Sequence, residues 1–151
     1  MSDISRNHAS FRIGADIMTN PAGALPNARL LTERLGIEPS DVHDAGERRS
    51  AKAAPYKHGQ WSLRSPLAEE LELEVHVRWL LDRLLPVRDR VVEILKSDAR
   101  LRADFYCGLW LEDENEGLTI TPRTLADMSS LEADLGLDIY WEGVYQTESE
   151  M

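Results

Sequence analysis

One stretch of the chain, Leu101–Leu111, reads LRADFYCGLWL and alternates in character from residue to residue. In an extended strand successive side chains point to opposite faces, so Phe105 and Leu109 fall on one face. Tyr106 and Trp110 make the opposite face apolar as well. Because a strand that is apolar on both faces belongs in the middle of a sheet or at an interface, this stretch predicts a sheet built around it.

Other parts of the chain predict further strands and the turns between them. Phe11–Ile17 and Trp61–Leu63 show the same alternation, and the residues around Val42 are compatible with a short strand. An acidic turn follows Leu111, and Leu118–Ile120 is interpreted as the return strand of a hairpin. Ile139–Tyr145 is predicted to close the chain as a strand.

The helices are predicted from apolar spacing and from their start and stop signals. Ser65-Pro66 is typical of a helix start, and the Leu71–Leu95 segment then places its leucines and valines on one face, interrupted at Pro86. Two shorter helices are predicted to end at Gly36 and Gly136. This repeated Leu-Gly exit suggests an internal strand–helix–strand duplication, although such exits are common enough for the repeat to be a coincidence.

Together these elements predict an α+β fold. We expect a two-layer domain in which a mainly antiparallel sheet of about five or six strands is covered by the long helical segment and two shorter helices. A helical bundle with a small hairpin is the alternative, but it does not explain the alternation in Phe11–Ile17. The 151 residues suit a single domain, which we place at 10–145, after a flexible N-terminus at 1–9 and before an acidic tail at 146–151.

The charge of the chain excludes some classes of partner. The net charge is -10, and residues 67–151 carry 20 acidic against 8 basic side chains. We therefore expect no nucleic-acid binding, because phosphate contacts depend on lysine and arginine. An acidic field can instead steer a basic protein partner towards this chain. With no leader-like or membrane-spanning apolar run, the chain is expected to be cytoplasmic, with no membrane contact.

Five short segments, taken in order, resemble a known family. They are Ser10-Phe11-Arg12-Ile13, Leu35-Gly36-Ile37-Glu38-Pro39, Gly46-Glu47, Trp61-Ser62-Leu63-Arg64-Ser65 and Leu135-Gly136-Leu137-Asp138-Ile139-Tyr140. The chain is similar, over most of its length, to the bacterial family known as domain of unknown function 4279. The resemblance implies a small cytoplasmic α+β domain, and it implies no catalytic residues.

An irregular stretch between residues 43 and 58 contains the best candidates for ligand binding. They are His43, Glu47, Arg48, Arg49 and His58. If they converge, they could bind a small molecule or a phosphoryl group, because arginine forms strong charge-assisted hydrogen bonds with phosphate. A solvated loop is the alternative interpretation. The spacing matches no metal-binding motif, so we expect no metal and no cofactor.

Two other candidate groups receive ordinary structural interpretations. Cys107 is the single cysteine and shares a face with Phe105, so we expect a small core side chain rather than a reactive thiol. His76 lies off the apolar stripe of its helix and is expected at the surface. The carboxylates at 112–116 lack the spacing of a calcium-binding loop and are interpreted as a solvated turn.

Three aromatic residues are the candidates for an interface with another protein. They are Trp79, Tyr106 and Trp110, and aromatic side chains are the usual anchors of protein contacts. We expect a homodimer or a hetero-complex with Trp110 at or near the contact. The function hypothesis is accordingly a non-enzymatic protein-binding module, immunity-protein-like by analogy only. The alternative is a small-molecule or phosphoryl-ligand enzyme with its site at the 43–58 loop.

Overall fold

The computed structural model describes residues 6–15, 27–112 and 117–141. Its elements, in chain order, are β1 Arg6–Ala15, α1 Leu30–Leu35, β2 Asp41–His43, β3 Gln60–Arg64, α2 Leu73–Leu84, α3 Arg88–Ser97, β4 Leu101–Leu111, α4 Pro122–Ser130 and β5 Asp134–Trp141. A 3-10 turn at Leu85–Val87 joins α2 to α3. The predicted interruption at Pro86 is therefore confirmed, because proline cannot donate the backbone hydrogen bond that a continuous helix needs there.

The five strands form one sheet in the order β2-β3-β1-β4-β5. β1 pairs antiparallel with both β3 and β4, and β2 pairs antiparallel with β3. Only the β4–β5 pair of this sheet is parallel. This confirms the predicted α+β class, with a mostly antiparallel sheet and a long helical segment.

The core lies between the helices and one face of the sheet. Alternate residues of the strands enter it, among them Phe11, Trp61 and Phe105, which are fully buried. The rings of Phe11 and Phe105 meet edge to face, with centroids 5.2 Å apart across the β1–β4 pair. The helices contribute a stripe that includes Val77 and Leu80, both also fully buried. Burial of each of these side chains contributes about 1.5–3 kcal/mol.

The predicted hairpin after β4 is wrong. Leu118–Ile120 is not a strand, and the chain instead passes through α4 to reach β5. A helical crossover returns the chain in its original direction, so β5 lies parallel to β4, whereas a hairpin would make it antiparallel. α4 begins at Pro122, a position that favours proline because its missing backbone N–H is not needed in the first turn of a helix.

The two Leu-Gly exits have different structures. Gly36 follows α1 with φ +71°, and its N–H donates to Thr32 O at 2.9 Å, as expected for a helix end. Gly136 lies inside β5, so the prediction that it ends a helix is wrong: α4 already ends at Ser130. Both halves have a strand–helix–strand order, but β3 separates β1 from β2, whereas β5 pairs directly with β4.

Three boundaries differ from the predicted ones. β1 begins at Arg6, before the predicted start of this strand at Phe11; residues 1–5 lie outside the described residues. The helix expected directly after Ser65-Pro66 begins only at Leu73, because the Ser65 hydroxyl contacts the ring of the buried His76. β5 ends at Trp141, and residues 142–151, including the expected tail, are outside the described residues. No helix in the described residues is long and apolar enough to cross a membrane.

Candidate binding face

The sheet presents a second face, away from the helices, and the buried core includes none of its side chains. We call it the open face and define it by the alternate residues of the three strands β1, β4 and β5. They are Arg6, His8, Ser10, Arg12, Arg102, Asp104, Tyr106, Gly108, Trp110, Asp134, Gly136, Asp138 and Tyr140. The register aligns them in rows that run across the three strands.

The row at one end of the open face is aromatic. Trp110 of β4 and Tyr140 of β5 are direct neighbours, and their rings stack with centroids 5.0 Å apart and planes 17° apart. On the β1 side, the guanidinium of Arg6 lies 5.5 Å from the centre of the Trp110 ring. The ring of His8 also approaches Trp110, with centroids 5.0 Å apart. The half-buried indole is therefore held between neighbours on both adjoining strands.

A glycine in the next row makes this packing possible. Gly108 lies between His8 of β1 and Asp138 of β5. A Cβ atom there would lie 2.6 Å from Cε1 of His8 and 2.9 Å from Cζ3 of Trp110. The imidazole therefore lies over the glycine. Burial of the His8 ring, with a smaller effect of Arg64, lowers the pKa of His8, so the neutral ring is favoured.

Each carboxylate of the open face is engaged by a neighbouring side chain. Arg12 donates to both carboxylate oxygens of Asp104, at 2.9 and 2.6 Å, and its guanidinium lies 4.2 Å from the centre of the Tyr106 ring. Tyr106 donates its hydroxyl to Asp138, and this bond, with burial, raises the pKa of Tyr106 to about 12. Ionisation of the phenol would remove the proton that it donates to Asp138, which explains why the pKa of Tyr106 is raised.

A second ion pair engages the remaining carboxylate of the open face. Arg102 of β4 donates to Asp134 of β5, with its Nη2 atom 2.8 Å from the carboxylate. The open face is thus a set of Trp, Tyr and Arg side chains that are already held by their neighbours. Such side chains lose little rotational freedom when a partner binds, and these residue types supply most of the binding energy in protein interfaces.

The structure separates the three predicted interface residues. Tyr106 and Trp110 lie together on the open face, but Trp79 is on α2, on the helix-covered side of the sheet, where it packs against the core. The guanidinium of Arg83 covers the Trp79 ring at 3.5 Å. Tyr140 lies on the predicted strand Ile139–Tyr145 but is not among the predicted interface residues, because a strand pattern does not show which strand it pairs with.

The β1 contribution to the open face was missed as well. Arg6, His8, Ser10 and Arg12 occur at every second position, which is the spacing of one strand face. This polar alternation indicates a strand, but it begins before Phe11, where the strand is predicted to start.

Glu47 and His43 of the 43–58 loop are engaged in contacts inside the loop and with Arg29, the residue before α1. Glu47 accepts hydrogen bonds from the Arg29 side chain and from the backbone N–H of Asp44, and these bonds lower the pKa of Glu47. The ring of His43 stacks on Tyr56, with centroids 3.6 Å apart. Each of these contacts holds the loop in place and leaves the group less available to a ligand.

The remaining loop candidates are more dispersed. Arg48 donates to the carbonyl of Ala53 at 2.7 Å, Arg49 is exposed, and His58 is half-buried. The two surface cavities that are described, of about 190 and 240 Å³, are lined by residues outside the loop. In residues 6–15, 27–112 and 117–141, no group of three or more His, Cys, Asp or Glu side chains is placed to bind a metal ion.

One buried polar pair was not predicted. His76 is fully buried, so the expectation that it lies at the surface is wrong. Its Nδ1 atom is 2.8 Å from Oγ of Ser65, which also accepts from the N–H of Leu67. Ser65 therefore fixes the loop before α2 instead of starting the helix. Because both side chains are buried, the pair is not positioned to meet a substrate.

Cys107 is fully buried, as predicted for a core side chain. Burial raises the pKa of its thiol to about 12, so the unreactive protonated form dominates at neutral pH. Of the acidic turn at 112–116, Glu112 is exposed and the other residues lie outside those described.

Comparison with known proteins identifies a family but no characterised relative. No curated protein and no solved structure matches the chain. The model of the family described as "Domain of unknown function (DUF4279)" matches residues 8–142, which include all five strands except the first two residues of β1. The chain belongs to the DUF4279 family.

Proposed function

We propose that this chain is a non-enzymatic protein-binding module that contacts a basic protein through the open face. The observation that carries the proposal is the stack of the half-buried Trp110 on the exposed Tyr140, with Arg6 and His8 packed against the indole. Tryptophan, tyrosine and arginine at the centre of an interface contribute most of its binding energy. The helices pack on the other side of the sheet, so they leave this cluster accessible.

The choice of a basic partner comes from the charge that adjoins the aromatic end. β4 and β5 are parallel, so both strands end beside the Trp110–Tyr140 pair. The sequence continues from β4 with Glu112, Asp113, Glu114 and Glu116, and from β5 with Glu142. The three carboxylates of the open face already accept from Arg12, Arg102 and Tyr106, so the acidic residues that follow these strands in the sequence favour a partner with a basic rim.

The immunity-protein-like role, in which a small acidic protein blocks a basic toxin, extends this proposal by analogy only. The alternative, an enzyme acting on a small molecule or a phosphoryl ligand at the 43–58 loop, has less support. Its two most distinctive groups, His43 and Glu47, are occupied by Tyr56 and Arg29 respectively.

The test compares three forms of the tagged protein in pull-downs from the native host at low salt. They are the wild type, a Trp110→Ala/Tyr140→Ala double variant, and Trp79→Ala as the matched control on the other side of the sheet. We expect a basic protein to be retained by the wild type and by Trp79→Ala but not by the double variant. With the purified partner, loss of the anchors should weaken binding by about 30-fold or more, the effect of an interface hot spot of about 2 kcal/mol.

Salt provides the second readout. Raising the salt concentration should slow association, because screening weakens the attraction between an acidic surface and a basic partner. The proposal fails if the captured protein is acidic, or if the double variant binds it as tightly as Trp79→Ala does. Circular dichroism of all three forms shows whether the fold is preserved.

A further inference from the structure

The two edges of the sheet differ in how well they are protected. β2 forms one edge and is only 3 residues long, with the exposed Asp41 at its start. β5 forms the other edge and is 8 residues long. Soluble proteins protect long edge strands with lysine, proline or a bulge, because unpaired backbone groups recruit another strand. The segment Asp134–Trp141 contains neither lysine nor proline.

β5 also exposes an apolar row on the helix side of the sheet. Leu135, Leu137 and Ile139 are 42%, 43% and 59% exposed. Their register partners on β4 are Phe105, Cys107 and Leu109, and all three of these are buried. The helical layer thus covers β4 but does not extend fully over β5. Three aliphatic side chains in line on an edge strand are characteristic of an interaction site.

The two charged side chains of β5 do not protect this edge. Asp134 accepts from Arg102, and Asp138 accepts from Tyr106, so both carboxylates are engaged within their own sheet. Both lie on the open face, opposite the apolar row. Within the part of the chain that the structure describes, the edge therefore combines a backbone without a further strand partner, an uncovered aliphatic row and carboxylates that are already engaged.

We propose that β5 pairs antiparallel with β5 of a second copy of this chain, about a two-fold axis through Leu137 and perpendicular to the sheet. In this register Leu135 lies opposite Ile139 of the second copy, and Leu137 lies opposite its own equivalent. The aliphatic rows of the two copies then form one continuous strip on the helix side. Contacts between side chains directly opposite each other are the main stabilising unit of a sheet.

The carboxylates select both this register and a copy of the same chain as the partner. With the axis at Leu137, Asp134 lies opposite Tyr140 and Asp138 lies opposite Gly136. Moving the axis to Asp138 places two Asp138 carboxylates directly opposite each other, and moving it to Gly136 places Asp134 opposite Asp138. Like charges directly opposite are destabilising. In the Leu137 register the strand is thus complementary to itself, even though each chain carries a net charge of -10.

Sedimentation of the purified protein over a range of concentrations tests the proposal. We expect a species with twice the 17.1 kDa mass of the chain. Leu137→Lys places two ammonium groups opposite each other at the axis and should shift the protein to the monomer. Leu125→Lys is the matched control, because Leu125 is a leucine of α4 rather than of β5 and is 47% exposed, and this change should leave the dimer intact.

A cross-linking variant tests the register itself. In Leu137→Cys the two new thiols face each other across the axis, where opposite Cα atoms of an antiparallel pair are about 4.5–5.5 Å apart, a separation that a disulfide can span. Mild oxidation should therefore give a covalent dimer, whereas Leu125→Cys should not, and the buried Cys107 adds no background. A wild type that stays monomeric at high concentration overturns the proposal. So does a dimer that survives Leu137→Lys or that Leu137→Cys fails to cross-link.

Discussion

Mild acidification should destabilise this fold through His76. The imidazole is fully buried, and its Nδ1 atom lies 2.8 Å from the Ser65 hydroxyl. Burial lowers the pKa of His76, and Arg64 acts in the same direction, while Glu69 and nearby backbone carbonyls act against them. Since burial has the largest effect, the folded protein favours the neutral ring.

The sign and the size of the effect follow from proton linkage. An unfolded histidine titrates near pH 6.5, so below that pH the unfolded chain binds a proton that the folded chain does not. The free energy of unfolding is therefore highest above about pH 6.5 and falls as the pH drops. For one proton the slope approaches about 1.4 kcal/mol per pH unit, and the loss stops once the folded protein is protonated too.

Urea unfolding between pH 7.5 and 5.5 measures this slope. His76→Asn keeps a polar side chain but removes the titration, so its stability should fall less steeply with decreasing pH than that of the wild type. His8→Asn is the comparison, because burial lowers the pKa of His8 as well. Asp98 does not interfere in this range, since Arg100 lowers the pKa of that carboxyl to about 2. Parallel pH profiles for the wild type and His76→Asn would refute the reasoning.

Three further predictions concern the buried thiol and two glycines. Cys107 should not react with a thiol reagent at pH 8 until the protein unfolds; rapid labelling of the native state would contradict its burial. Gly108→Ala should displace the His8 ring, seen as a change in the imidazole NMR signals with the fold retained; unchanged signals would contradict the close approach. Gly36→Ala should reduce the free energy of unfolding by about 1–2 kcal/mol in urea titrations, because the residue has φ +71°. Gly117→Ala, in open space, should have a smaller effect, and equal losses would contradict this account.

The covered face of the sheet could be predicted from the sequence because its signal is local and strong. Phe105 and Leu109 recur at every second residue, and Leu73 and Val77 recur at helical spacing. Each pattern has one low-energy way to bury its apolar side chains. The existence of the strands and helices, and the α+β class, therefore depend on neighbours along the chain and are recoverable without a structure.

The path of the chain after β4 could not be predicted in this way. Leu118–Ile120 and Leu135-Gly136 carry the same short apolar signals as real strands and helix ends. Which of them pairs with β4 is decided by the placement of α4, including the bonds that Thr121 donates to Glu74 at 2.6 and 2.7 Å. These partners are far apart in the sequence. A period-two pattern shows that a strand exists but not which strand it joins.

The candidate site was recovered in part for the same reason. Tyr106 and Trp110 lie on the predicted strand, but their contacts with His8, Arg12 and Tyr140 arise only when three separate strands come together. The 43–58 loop shows the opposite case. Its polar residues are close in sequence, yet the bond from Arg29 of another segment determines what Glu47 can do.

The two proposed surfaces meet at β5, and their geometry links them. A two-fold axis perpendicular to the sheet keeps both open faces on the same side, so the dimer would present two Trp110–Tyr140 pairs in one continuous surface. A partner with two matching sites would then gain avidity, typically 10²–10⁴-fold over a single contact. Leu137→Lys would remove that gain while leaving the affinity of each separate site unchanged, because Leu137 lies on the helix side. Trp110→Ala would instead weaken each site and leave the dimer intact, so the two proposals can fail separately.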